Sequence, residues 1–150
     1  MLKRAIHTIL LPAILTVLSL SCGKDTFQSK PQLFLKKVST TVVPVGSPLE
    51  ITFRLTDKEG DFLDTIWLKK ETTRCPLSNF SDSLKYKVPG DAPRVTNFDG
   101  EVVLTLDYYL DGLQPACIRQ DTAVFSIWMK DKKGNQSDTI RTPPIIIEKP

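Results

Sequence analysis

Leu49-Glu-Ile-Thr-Phe-Arg-Leu-Thr56 alternates apolar and polar residues over eight positions. A β-strand points successive side chains to opposite faces. The stretch therefore lays Leu49, Ile51, Phe53 and Leu55 on one side and Glu50, Thr52, Arg54 and Thr56 on the other, the pattern of a half-buried strand. Ala123, Phe125, Ile127 and Met129 repeat the pattern against Val124, Ser126, Trp128 and Lys130, and Val102, Leu104 and Leu106 make a third set. Shorter strand candidates lie at 33–38, 41–45, 65–69, 84–88, 138–141 and 145–148. Turn signals separate them: Val45-Gly-Ser-Pro48, Lys58-Glu-Gly-Asp61, Pro89-Gly-Asp-Ala-Pro93, Asp99-Gly100, Asp111-Gly112 and Lys133-Gly-Asn135. No stretch carries the 3.6-residue apolar stripe of a helix. Seven to nine short strands over residues 32–150 predict one all-β domain, an antiparallel sandwich or barrel.

Upstream of that domain the composition changes. Lys3 and Arg4 precede an apolar run from Ala5 to Leu20, broken by His7, Thr8, Pro12, Thr16 and Ser19. The run is too short and too interrupted for a stable membrane span, which takes about 20 apolar residues, and it suits the core of a cleaved signal peptide, residues 1–21. Leu18-Ser-Leu-Ser-Cys22 resembles a lipobox, in which the cysteine thiol is acylated and the peptide is cut before it. It departs from the usual pattern by placing Ser19 three residues before the cysteine, where Leu is customary. An uncleaved anchor and ordinary cleavage leaving Cys22 as a free thiol are the other readings. Acyl chains at Cys22 would hold the protein at a membrane, since each buried CH₂ contributes about 0.8 kcal/mol. Residues 22–31 are polar and aperiodic, a tether.

With Cys22 acylated, Cys75 and Cys117 remain as an even pair in an oxidising compartment, which points to one disulfide, with two buried free thiols as the alternative. Loss of Lys3 and Arg4 with the signal peptide leaves 18 basic against 17 acidic residues, a net charge of +1. Such a balance gives no electrostatic case for nucleic acid.

Catalytic constellations are missing from the mature sequence. The single histidine, His7, falls in the signal peptide, so neither a Ser-His-Asp nor a Cys-His pair can be built, nor a histidine-containing zinc site. Phosphate-binding glycine motifs are absent as well. Asp57, Glu59, Asp61 and Asp64 cluster around Gly60. Acidic side chains about a glycine turn could offer hard oxygen ligands to Ca²⁺, which takes six to eight of them. The same acids could instead cap backbone N–H groups of a solvated hairpin, and Lys58 among them could supply a neutralising charge. Trp67, Tyr108, Tyr109 and Trp128 could stack on a sugar or partner, or pack into the core. Asp64-Thr65, Asp121-Thr122 and Asp138-Thr139 each open an apolar strand and read as caps.

Gly46-Ser-Pro-Leu-Glu-Ile-Thr-Phe-Arg-Leu-Thr-Asp-Lys-Glu-Gly-Asp61, Asp64-Thr65 and Asp121-Thr-Ala-Val-Phe-Ser-Ile-Trp-Met-Lys-Asp-Lys-Lys-Gly-Asn-Gln-Ser137, followed by an Ile-rich strand, resemble small Bacteroidota-type lipoproteins with an Ig-like or fibronectin-III-like β-sandwich domain. The resemblance implies an Ig-like fold and an outer-membrane location, lipid-anchored on the periplasmic or surface-exposed face. Lys24-Asp25 after the cysteine resembles the charged export signal of such lipoproteins to the outer face. The expected function is a non-enzymatic cell-envelope module acting as an accessory, adhesion or scaffolding unit, with an envelope protein or glycan as partner. The alternative is a glycan- or calcium-binding accessory lipoprotein.

Overall fold

The alternating stretches become the central strands of two facing sheets. In the computed structural model, residues 28–80, 84–88 and 95–150 are described, apart from the side chains of residues 63 and 64. The expected signal peptide (residues 1–21), Cys22 and most of the expected tether (residues 22–31) lie outside the described residues. The strands are β1 (Gln32–Val38), β2 (Val42–Val43), β3 (Leu49–Asp57), β4 (Phe62–Thr72), β5 (Leu84–Lys87), β6 (Phe98–Leu106), β7 (Asp121–Asp131), β8 (Ile140–Arg141) and β9 (Ile145–Ile147). One sheet has the order β1-β3-β6, and the other β2-β9-β7-β4-β5 with β8 also on β7. All pairings are antiparallel except β2 with β9. This is an Ig-like β-sandwich, with β1, β3 and β6 in the places of strands A, B and E, and β5, β4, β7 and β9 in those of C′, C, F and G.

The inward rows form a single core. Leu49, Ile51, Phe53 and Leu55 of β3 are fully buried, as are Leu68 of β4 and Phe125, Ile127 and Met129 of β7. Burying each such side chain stabilises by about 1.5–3 kcal/mol. Thr52 and Thr56, on the opposite face of β3, are nearly buried too, because β3 is flanked on both sides by β1 and β6.

Three departures from the sequence pattern have local causes. β4 runs to Thr72 rather than ending at Lys69, and its next inward position holds Lys70, which is fully buried. The Lys70 Nζ donates to the carbonyls of Gly112 and Leu113 at 2.9 Å each and lies 5.6 Å from the centre of the Phe80 ring. Asp99-Gly100 is no turn. Both residues sit inside β6, opposite Thr56 and Leu55. Asp99 forms a two-pronged ion pair with Arg54 at 2.7 Å, and a Cβ at Gly100 would lie 2.7 Å from the Phe98 ring, so the glycine makes room for that ring. Asp138 caps no strand; its carboxylate takes Lys30 Nζ at 2.9 Å. Asp121 does serve as a cap, accepting the N–H of Thr122 at 2.7 Å and of Arg74 at 3.1 Å.

The connection between β6 and β7 closes one end of the sandwich. Leu113 and Tyr108 are buried in it, and the Tyr108 hydroxyl donates to the Glu148 carbonyl. Cys117 in this connection is bonded to Cys75, which follows β4, with the Cα atoms 5.8 Å apart. The disulfide thus ties two loops at the same end. Thiol labelling of the unreduced, denatured protein should find neither cysteine free. Reduction should lower the unfolding free energy by about 4 kcal/mol, the chain-entropy value for a loop of this length, and a urea midpoint unmoved by reductant would contradict it.

Burial pulls the Lys70 ammonium down to a pKa of about 8, with the Asp121 charge opposing the shift. Its ordinary value is 10.5. Between these values the unfolded chain binds the additional proton, so stability should rise with pH across that window. Lys70→Met should abolish that rise, measured as the difference between urea midpoints of the two proteins at pH 8 and pH 10.5. Parallel pH profiles would show that Lys70 does not titrate in this range.

Candidate binding face and acidic loop

The outer face of the larger sheet carries both tryptophans of the chain. Ile66 and Leu68 of β4, and Ile127 and Met129 of β7, point into the core, so the alternation turns Trp67 and Trp128 outward. The two are direct cross-strand partners, and Lys85 of β5 pairs with Trp67 from the other side. One row across three strands therefore reads Lys85, Trp67, Trp128. Both indoles are half-buried and Lys85 is exposed.

Basic residues surround this row. The Lys130 ammonium lies 5.8 Å from the centre of the Trp67 ring, a cation–π contact. Lys69 and Lys87 are exposed on the same face by alternation. Arg141 of β8 opposes Ser126. Glu71 also lies on this surface, held by Lys69 at 2.8 Å and Arg141 at 3.1 Å, and those cations keep its carboxyl below the usual value. The near-neutral total charge hides this segregation. Of the other aromatics, Tyr108 belongs to the core, and Tyr109 is exposed beside Gly46 at the opposite end of the strands from the acidic loop.

The acidic loop joins β3 to β4. Gly60 adopts a left-handed φ of +65°, and a Cβ there would lie 2.2 Å from the Val95 carbonyl oxygen, so only glycine fits. Lys58 donates its N–H to Gln28 at 3.2 Å and accepts from the Asn97 N–H at 2.8 Å. The Asp61 carbonyl accepts the Lys132 N–H at 3.0 Å. The loop is thus tied to the start of the domain, to the segment before β6 and to the turn after β7.

Within it, Asp57, Glu59 and Asp61 converge, each offering a carboxylate oxygen within 4.8 Å of those of the other two. Asp57 is fully buried. Its Oδ1 accepts the N–H groups of Gly60 and Asp61, the capping role expected of such turn acids. Its Oδ2, Glu59 Oε2 and Asp61 Oδ1 are buried without a hydrogen-bond partner. Burial pushes the Asp57 carboxyl above its usual value, the two N–H groups counter that, and the charges of Asp61 and Glu59 raise it further. The Lys58 side chain points to solvent and does not partner these oxygens. The Asp64 side chain, the fourth acid of the sequence cluster, lies outside what the structure describes. The donor set is all oxygen, which suits a hard cation.

The tryptophan–lysine row escapes sequence reading because it depends on cross-strand register. The available signal is the outward half of each alternating stretch, where Trp67, Lys69, Lys85, Lys87, Trp128 and Lys130 fall. No protein-family model, curated protein or solved structure matches the chain.

Proposed function

We propose that this chain is a non-enzymatic, lipid-anchored accessory module of the bacterial cell envelope that adheres to an acidic glycan through its Trp67–Trp128 face. The pairing of two outward tryptophans within a ring of lysines carries the reading. A sugar ring has an apolar C–H face whose slightly positive hydrogens meet the negative π face of an indole. Carboxylates on the same polymer would meet Lys85, Lys87 and Lys130. Each exposed ion pair contributes only about 0.2–1 kcal/mol, so a single domain would bind weakly. Many copies anchored in one membrane would gain avidity on a repeating polymer. The chemistry left to the mature sequence supports a binding role, since its titratable side chains include no histidine and its two remaining cysteines are bonded to each other.

The anchor reading rests on Ser21-Cys22 and the apolar run before it. Cys22→Ser should move the protein from the membrane to the soluble fraction. Unchanged membrane association would reject lipidation at this residue.

The tryptophan face provides its own optical probe, because the chain has no other tryptophans. Titration of the mature protein with polygalacturonate should change the tryptophan emission, and neutral dextran should leave it unaltered. The double variant Lys85→Glu, Lys130→Glu should weaken polygalacturonate binding about tenfold or more, as expected when two pair energies are lost and replaced by repulsion. Emission indifferent to saturating polygalacturonate would rule out acidic glycan on this face. A response to single-stranded DNA alone would reassign the face to another polyanion.

A further inference from the structure

Independently of that face, we infer that Asp57, Glu59 and Asp61 form a calcium site that fastens the start of the domain. Two oxygens bound to one Ca²⁺ at about 2.4 Å each stand at most about 4.8 Å apart. The three carboxylates meet that limit without rearrangement. Clustering by itself would mean little, because turn acids often gather in solvent. The decisive observation is that Asp57 is fully buried and its Oδ2 has no donor, although the other oxygen is fully engaged by the loop backbone. An ionised carboxylate buried without a partner costs several kcal/mol. Here two more buried carboxylate oxygens face the same problem beside it. A bound cation relieves all three at once.

Calcium fits better than its competitors. Zinc favours nitrogen and sulfur donors, and the described residues supply neither here: the cysteines are paired at the other end of the sandwich. Magnesium requires a regular octahedron and keeps most of its water. Calcium accepts a loose set of carboxylates, with water completing six to eight positions.

The consequence lies in what the loop holds. Lys58, between Asp57 and Glu59, bonds through its backbone to Gln28 on one side and to Asn97 on the other. An ion that fixes the loop therefore fixes the point where the tether joins the domain.

The test uses the mature chain stripped of metal with chelator. Calorimetric titration with CaCl₂ should show saturable binding, and at a hundredfold excess over Kd the melting temperature should rise by about 10 °C. Amide exchange at Lys58 and Asn97 should slow in calcium. Glu59→Gln and Asp61→Asn change partly exposed residues, so both proteins should fold. In chelator each should melt higher than the wild type, because a repelling charge is gone. In calcium each should melt lower, because a ligand is weakened. This crossing distinguishes an ion site from a turn without one, where calcium would leave the order of variants and wild type unchanged and the inference would fall. A wild-type protein without binding heat or thermal shift would overturn it as well, as would an equal shift from MgCl₂ or from NaCl of matched ionic strength.

Discussion

The meeting of two inward apolar rows, one on β3 and one on β7, is the constraint from which the rest of this molecule follows. Each row belongs to a strand hydrogen-bonded on both sides, so each carries its neighbours with it into a sheet. Once Leu49, Ile51, Phe53 and Leu55 face Phe125, Ile127 and Met129 across one core, the other faces of both strands are assigned as well. On β7 that assignment turns Trp128 and Lys130 outward. At the end of β3 it leaves Asp57 buried at the rim, with its carboxylate aimed into the following loop. A slip of one residue in β7 would turn Trp128 and Lys130 inward, and the same slip in β3 would turn Asp57 outward.

Local period was enough to find the strands, because alternation needs no knowledge of partners. It failed where a partner supplied the reason. Lys70 breaks the inward pattern of β4, and only the carbonyls of Gly112 and Leu113, more than forty positions away, explain how an ammonium can be buried there. Gly100 looks like half of a turn until the Phe98 ring is seen lying over it. Of two adjacent tyrosines, Tyr108 is in the core and Tyr109 in solvent, and the choice is set by the Glu148 carbonyl that receives the Tyr108 hydroxyl. The acidic cluster was legible as spacing. Its character was not, because burial of Asp57 depends on residues 28, 95–97 and 132 closing around the loop.

Charge is distributed by region rather than balanced locally. The sheet face is cationic around two indoles, and the loop between β3 and β4 is anionic and partly dry. These regions differ in how they respond to solution conditions. Exposed lysines on a sheet are screened by salt over a Debye length of about 8 Å at physiological ionic strength. Buried carboxylates are screened far less, and on the inference drawn above these answer to Ca²⁺. On the reading proposed above, adhesion and internal stiffness would thus be set by different components of the same medium.

The end-closing connection between β6 and β7 also bears on how the chain matures. Three cysteines permit three different pairings. The connection is held in place by contacts that need no oxidation: buried Leu113 and Tyr108, the Lys70 bonds, Ser78 Oγ receiving the Ala116 N–H at 2.7 Å, and Lys149 Nζ on the Pro115 carbonyl at 2.9 Å. The last two grip the residues immediately before Cys117. Folding therefore presents the Cys117 thiol to Cys75 at high effective molarity, which selects this one of the three pairings.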